Sequence, residues 1–551
     1  MAFKEVMLAP LNGLNEDENP QALRDADLSI AYNCWRLGAT TGTRPGIERE
    51  ATSDPYDAKL TGPPADQNIQ GMFEYNNNFD ASADRHMIVV ANGQIWRNDS
   101  TNITDALTIT AGQNNLWTFA QHKNYLYAAG GASGDAFWCW DGVTANAATL
   151  VTFLNSGASQ IDCKYVFQKW NFLFTCGMNG TAAEDNPTIV RFSALGDGSS
   201  WPIANTIGGT AAIGGFAAYG NEYTTGFGSY TDNNGDYLMV GTNRAIYSIL
   251  LTGDSTNPFF VQGEAANGFV SQRAYVSLGV DAGDSVYISE RGIHSLRQSQ
   301  QFGAQENKFL TWSIRNTFKG LSRSRLKYAS GAYWQEEGII LFAVSSASST
   351  TNDVILALDI KGVNELTSES AVWSIWRLAG GISANVLVAA RDDSGKPYIY
   401  VGTTTADVCR FSRDVNSDLG ASYPVEFQTK FFDFGSPMRN KCIGDCQVTV
   451  QPSGSHRPKV KYVYDFGRRQ STPRDLRMMQ DGFILNAGVL DSEHLGMENP
   501  TAINKVYGTG WGESVALSFT HQGIDEPFRI ARIAMQVDLM GETQGDFSGG
   551  S

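Results

Sequence analysis

The sequence predicts an all-β chain, a β-propeller of six to eight blades with a second antiparallel β domain near the C-terminus. Three observations predict it. A hairpin layout recurs seven times at close to blade length, Gly is plentiful (57) while charged residues are sparse (18%), and beyond Asp414 the strands lengthen and alternate more cleanly.

The recurring unit is clearest in RHMIVVANGQIWRND, Arg85 to Asp99. An apolar run, a Gly turn and a second apolar run ending in an aromatic is the sequence form of an antiparallel hairpin. The layout returns from Tyr125, Phe172, Tyr237, Ser285, Ile339 and Tyr398. First runs starting at residues 87, 125, 172, 237, 286, 339 and 398 are spaced by 38, 47, 65, 49, 53 and 59 residues. A four-stranded blade takes roughly 40 to 50 residues, and the longer intervals leave room for insertions or, between Phe172 and Tyr237, for a further blade. Such hairpins cannot bury an apolar face alone, so copies must stack. Blade-length periods favour a ring over a β-helix, whose repeats are shorter; a set of separate β-sandwiches is the competing arrangement.

Taken in order, residues 1–68 read as an N-terminal arm and linker with a helical turn near Ala22 to Asp27. The arm ends in Gly42 and Arg44-Pro45-Gly46, where Pro fixes φ and Gly46 is expected to supply a positive φ. TSDPYDAKLTGPPADQN, residues 52–68, is Pro- and Asp-rich linker. Residues 69–415 are assigned to the propeller. Between its fifth and sixth hairpins, Leu310, Ile314 and Phe318 stand four apart and predict a helix over Phe309 to Phe318. The basic residues Arg315, Lys319, Arg323, Arg325 and Lys327 suit a phosphate contact, a solvated helix face or a subunit contact. Residues 416–545 form the second β domain, a sandwich or platform, on the strength of VEFQTKFFDFG, KVKYVYDFG and RIARIAMQVDL. Residues 546–551 are expected to be a disordered tail.

A formal net charge of −16 opposes binding to free nucleic acid or anionic membranes, yet suits DNA passing through a confining channel without sticking. The seven Cys residues are odd in number and thinly spread, which argues against a disulfide scaffold and for a reducing cytoplasm. Met1 to Leu14 has no signal-peptide layout, and no run of about 18 apolar residues occurs.

No catalytic signature emerges, and no catalytic, cofactor-binding or metal residue is assigned. Walker, G-x-G-x-x-G, H-E-x-x-H and G-x-S-x-G patterns are absent, and the six His residues are scattered. Asp232, Asn234 and Asp236 imitate the start of a Ca²⁺ loop, but Tyr237 replaces its Gly and Asn243 its Glu, so a polar turn is expected. Cys442 and Cys446 lack a second ligand pair. SALGDGSSW, Ser193 to Trp201, resembles the sialidase blade turn but has Gly196 at the Asp position and is not repeated. Trp373 and Trp376 are expected in a blade core rather than as a sugar platform.

DADLSIAYNCWRLGATTGTRPGIE, with Asn33 and Arg44-Pro45-Gly46, resembles the opening of tail nozzle (tail tubular protein B-type) and DNA-stabilisation hub proteins of short-tailed bacteriophages. SVYISERGIHSLRQ with the helix ending near Phe318, and VEFQTKFFDFG, KYVYDFG and PFRIARIAMQVDLMG, extend the similarity over most of the chain. The resemblance implies a structural, non-enzymatic virion tail subunit, assembled in the host cytoplasm and needing no cofactor. Its partners would be itself in a homo-oligomeric ring, usually a hexamer, the adaptor or head-to-tail connector, a tail fibre or tailspike, and viral double-stranded DNA in the lumen, with no stable membrane insertion. The lumen is expected to be acidic or neutral, with basic segments such as Arg315 to Lys327 and His456 to Arg477 at subunit contacts or in one narrow band. The alternative classes are a propeller glycosidase or lyase, which needs clustered carboxylates, and a lectin-like host-receptor-binding tail protein, which needs repeated aromatic pockets.

Overall fold

The computed structural model describes residues 3–539 except 10–11, 17–18, 50–67, 78–84, 92, 98–101, 104–108, 111, 113, 131–134, 136, 144–147, 151–162, 178–186, 202–212, 214–215, 217–220, 233–234, 255–257, 280–282, 303–307, 364, 393–394 and 479–501. The chain divides into two compact units. One comprises Ile47–Ala371 and Gly381–Ser412; the other comprises Met1–Gly46, Val372–Gly380 and Arg413–Ser551.

The larger unit is a β-propeller, and its described residues form seven blades. Their innermost strands are Ile69–Asn76, Trp117–His122, Tyr165–Lys169, Thr224–Asp232, Tyr275–Ser277, Ser330–Trp334 and Ala384–Arg391. Each lies beside the next, and Ala384–Arg391 returns to Ile69–Asn76, where Asn385 Nδ2 donates to the Ile69 carbonyl; the ring is closed. Each of the seven hairpins read from the sequence falls in a different blade, as Arg85–Ala91 with Gln94–Arg97, Tyr125–Gly130 with Trp138–Trp140, and so on to Pro397–Thr403 with Val408–Ser412. The wide interval after Phe172 holds no additional described blade.

The blades are held by side-chain layers between neighbours. Tyr75, Ile88, Trp117, Leu126, Trp138 and Trp140 form one layer between the first two blades; Tyr127, Phe137, Val166, Leu173 and Trp201 form the next. Because blades are covered on both faces, several middle strands are buried along their whole length rather than alternately: every residue of Phe172–Cys176, Ile339–Val344 and Val354–Asp359 is buried. That is why these runs read as near-continuous apolar sequence. The seventh blade takes its outermost strand from far upstream, since Gly46–Glu48 pairs with Val408–Ser412. Ion pairs from Arg410 to Glu48 (3.2 Å) and from Arg49 to Asp407 (2.5 Å) flank that strand.

The helix expected over Phe309 to Phe318 is broken in two. Leu310–Ile314 is a 3₁₀ turn and only Arg315–Lys319, here α2, is α-helical; a second helix, α1, spans Leu296–Phe302. Leu310, Thr311, Ser313 and Ile314 are all buried, which covers more of the turn's circumference than one helical stripe would.

The second unit is a pair of sheets. One orders Cys34–Leu37, Thr40–Thr43, Arg529–Leu539, Lys441–Gln451 and Ala502–Tyr507, with Phe3–Leu8 also on Arg529–Leu539. The other orders Val372–Trp376, Leu28–Tyr32, Val425–Thr429, Val515–His521 and Lys459–Tyr464. Buried and exposed residues alternate along Lys441–Gln451 and Arg529–Leu539, the pattern of strands with one face on a core. Phe427 stacks between Phe519 and Phe528, and the Tyr462 hydroxyl donates to the Val506 carbonyl of the facing sheet. The expected N-terminal arm is therefore corrected in its first part. The described residues of 1–46 carry four strands built into this unit by backbone pairing: Phe3–Leu8 on Arg529–Leu539, Leu28–Tyr32 on Val425–Thr429, and Cys34–Leu37 on Thr40–Thr43, which itself pairs with Arg529–Leu539. Most of the linker, 52–67, and the tail, 546–551, lie outside the described residues.

Candidate functional site

Two constellations concentrate polar chemistry in enclosed settings: a buried charge node in the sandwich unit and the central cavity of the propeller.

The node grows from Arg44. Its side chain is fully buried, and its guanidinium grips the Asp418 carboxylate with both ends, Nη1 to Oδ1 at 3.0 Å and Nη2 to Oδ2 at 2.6 Å. The remaining donors are also used: Nε reaches Asn33 Oδ1 at 3.1 Å, Nη1 the Pro45 carbonyl and Nη2 the Arg377 carbonyl. The Tyr423 ring lies 3.7 Å from the guanidinium carbon, and its hydroxyl donates to the Arg44 carbonyl. Asn33 also accepts from the Arg377 amide and donates to the Pro424 carbonyl, while Asp418 accepts from the Ala379 amide. A buried guanidinium is tolerated only when its charge and all its donors are matched, and here they are.

The local backbone explains why these residue types are needed. Positive φ falls on Asn33 (51°), a residue that tolerates the left-handed region, and not on Gly46 as the sequence suggested. Gly46 is required for a different reason: a Cβ there would sit 2.1 Å from the Ser417 carbonyl oxygen.

The propeller cavity holds about 570 Å³ and is lined by inner strands of all seven blades. Phe73 with Phe119, and Phe167 with Phe227, pair as rings 5.8 and 6.2 Å apart on its wall. Its one described acidic lining residue is Glu74, whose carboxyl is raised by burial against the opposing pull of Arg85 and Arg391. Arg273, on the same wall, is pushed down to about 10 by burial; its Nη2 donates to the Tyr328 carbonyl at 3.1 Å. The cavity is of small-molecule size. A retaining or inverting glycosidase uses two facing carboxylates, and the described lining brings only one.

The remaining candidates have structural placements. Asp236 accepts from Thr231 and pairs with Lys169 at 2.5 Å, while Asn234 lies outside the described residues. Cys442 and Cys446 share one strand across a bulge, and burial pushes the Cys446 thiol up to about 12; no metal-holding cluster occurs among the described residues. In Ser193 to Trp201, Asp197 accepts from Ser199, and Trp201 Nε1 donates to the Gly198 carbonyl beneath the second blade's core. Trp373 and Trp376 are fully buried, Trp376 donating to the Cys34 carbonyl.

Ser289 Oγ lies 2.6 Å from His294 Nε2, a pairing that sequence reading missed. Both are buried, and Ser289 Oγ already receives the amides of Arg291 and Gly292, so the pair fixes a blade turn. Of the basic stretch, Arg315, Lys319 and Arg323 come together with Arg291, whereas Arg325 turns away to Ser345 and Asn114. Most cations from His456 to Arg477 are exposed, and the His456 ring lies tilted against His521, 5.2 Å between centroids.

No family model matches the chain, and no curated protein matches it. Solved structures do. A BBS1N domain crystallised with ARL6DN is 9% identical over 68% of this chain and 100% of that chain, with a TM-score of 0.36. An exo-β-1,3-galactanase from Phanerochaete chrysosporium is 10% identical over 78% and 97%, with a TM-score of 0.25. Chaetomium thermophilum Raptor is 10% identical over 67% and 29%, with a TM-score of 0.34. Likenesses this distant carry no substrate or partner with them.

Proposed function

We propose that this chain is a structural subunit of a short-tailed phage tail nozzle or hub, copies of which form a ring whose lumen retains packaged DNA and guides its ejection. The observation that carries this reading is the use made of the residues behind the resemblance. Asn33, Arg44 and Gly46 are spent on an internal scaffold, and Ser285 to Leu296 on a blade and the turn that follows it. Such residues serve rigidity, which a pressurised channel wall requires, rather than turnover.

The propeller's own cavity is not the DNA path. Its volume of about 570 Å³ suits a small molecule, while the major groove of B-DNA alone is roughly 12 Å wide. The lumen in this reading lies between copies, and cyclic symmetry closes it without open-ended growth. With 57 acidic and 41 basic side chains, the wall attracts duplex weakly, so DNA slides rather than stalls. The adaptor above and a tail fibre or tailspike beside the ring are the partners. The test is to incubate the purified chain with its adaptor and image the product: closed rings support the reading, and a chain that stays single in adaptor complexes sinks it.

A further inference from the structure

The connection between the fifth and sixth blades folds its cations onto one another. Arg315 and Lys319 of α2, Arg323 just beyond it and Arg291 from the turn after Ser285–Ile288 line a pocket of about 210 Å³. None of its described lining residues is acidic. Three of the cations lie over aromatic rings in its wall: Arg291 over Phe309 at 5.5 Å, Arg315 over Trp312 at 4.8 Å and Arg323 over Phe318 at 5.4 Å. Arg323 also donates to the Glu290 carbonyl. Rings beside the guanidinium groups restrict where they can swing, and arginine's planar fork of N–H donors suits an oxyanion such as phosphate. The cationic groups of Arg291, Lys319 and Arg323 about one small cavity raise its positive potential, which favours entry of an anion.

We propose that this pocket binds a phosphate group. At about 210 Å³ it is smaller than a typical small-molecule site, so it fits one charged group rather than a whole ligand. The source is either free phosphate or the backbone of a polynucleotide. The exposed Lys327, further along the same connection, favours the polymer, since it offers a second phosphate contact outside the pocket. The pocket belongs to the single chain, so the inference stands or falls apart from the ring.

The test titrates the full chain at low salt with inorganic phosphate and with a short blunt DNA duplex. Lys319 and Arg323 are exposed, so the double variant Lys319→Gln/Arg323→Gln keeps the fold; Arg291→Gln probes the opposite wall. The control, Arg474→Gln/Arg477→Gln, removes the same charge from exposed positions elsewhere. Saturable phosphate binding is expected, weakened at least about tenfold by either pocket variant and unchanged by the control. If duplex binding falls in parallel, the backbone is the source; if only phosphate binding falls, free phosphate is. Absence of saturable phosphate binding, or equal loss in pocket and control variants, overturns the proposal.

Discussion

Asp418 and Arg44 stand 374 residues apart in sequence yet form a bidentate pair with no exposed atoms to share its cost with water. Removing one partner leaves the other charged and buried, which typically costs about 3–5 kcal/mol. Asp418→Ala is therefore expected to lower unfolding stability by that amount in urea titrations, and a loss under about 1 kcal/mol would show the node to be dispensable. His294 gives a second residue-scale expectation. Burial holds its pKa down to about 3, against 6.5 in the unfolded chain, so below pH 6.5 the unfolded state binds a proton that the folded state refuses. Stability is full above that pH and declines as pH falls towards 3, by up to about 1.4 kcal/mol per pH unit from this group. Burial lowers His122 and His521 as well, in the same direction. Comparing urea midpoints of the chain and of His294→Gln from pH 7 to 5 checks this; equal slopes would contradict it. None of this was legible in sequence. Arg44-Pro45-Gly46 reads as a turn because its partners, Asp418 and Tyr423, are set by the tertiary fold alone.

At the scale of elements, the hairpins were legible and the closure was not. Several second strands of the blades are buried along their whole length, so they stand out as apolar runs. The innermost strands are less distinct: Thr224–Asp232 and Ser330–Trp334 carry glycines where aromatic rings of neighbouring strands press close. The Gly46–Glu48 strand is too short to register, and its partner, Val408–Ser412, lies at the other end of the propeller. Leu310 and Ile314 did signal helical spacing, but a period of four cannot distinguish a 3₁₀ turn buried around most of its circumference from an α-helix. Ile47 is the anchor of the closing strand, with 1% of its surface exposed. Ile47→Ala is expected to cost about 2–5 kcal/mol and to speed amide exchange in Val408–Ser412 ahead of the other blades. Uniform exchange across all seven blades would mean that the strand does not lock the ring.

For the whole molecule, a closed ring, seven-bladed in its described residues, and a two-sheet unit account for the chain's β-rich composition without assigning it any chemistry. The proposed role follows from how copies would assemble. In the proposed ring, an excess of 57 acidic over 41 basic side chains would leave the lumen wall with little attraction for duplex. Isolated rings are accordingly expected to bind duplex weakly even at low salt; tight binding with a steep salt dependence would indicate a uniformly basic lumen and contradict sliding transit. The most direct test of the central claim is an electron-microscopy map of particles containing this chain. A closed ring of copies, six in number by the resemblance, is expected on the tail axis with DNA density through its lumen. A single copy, or a trimeric spike projecting from the outside of the tail, would contradict it.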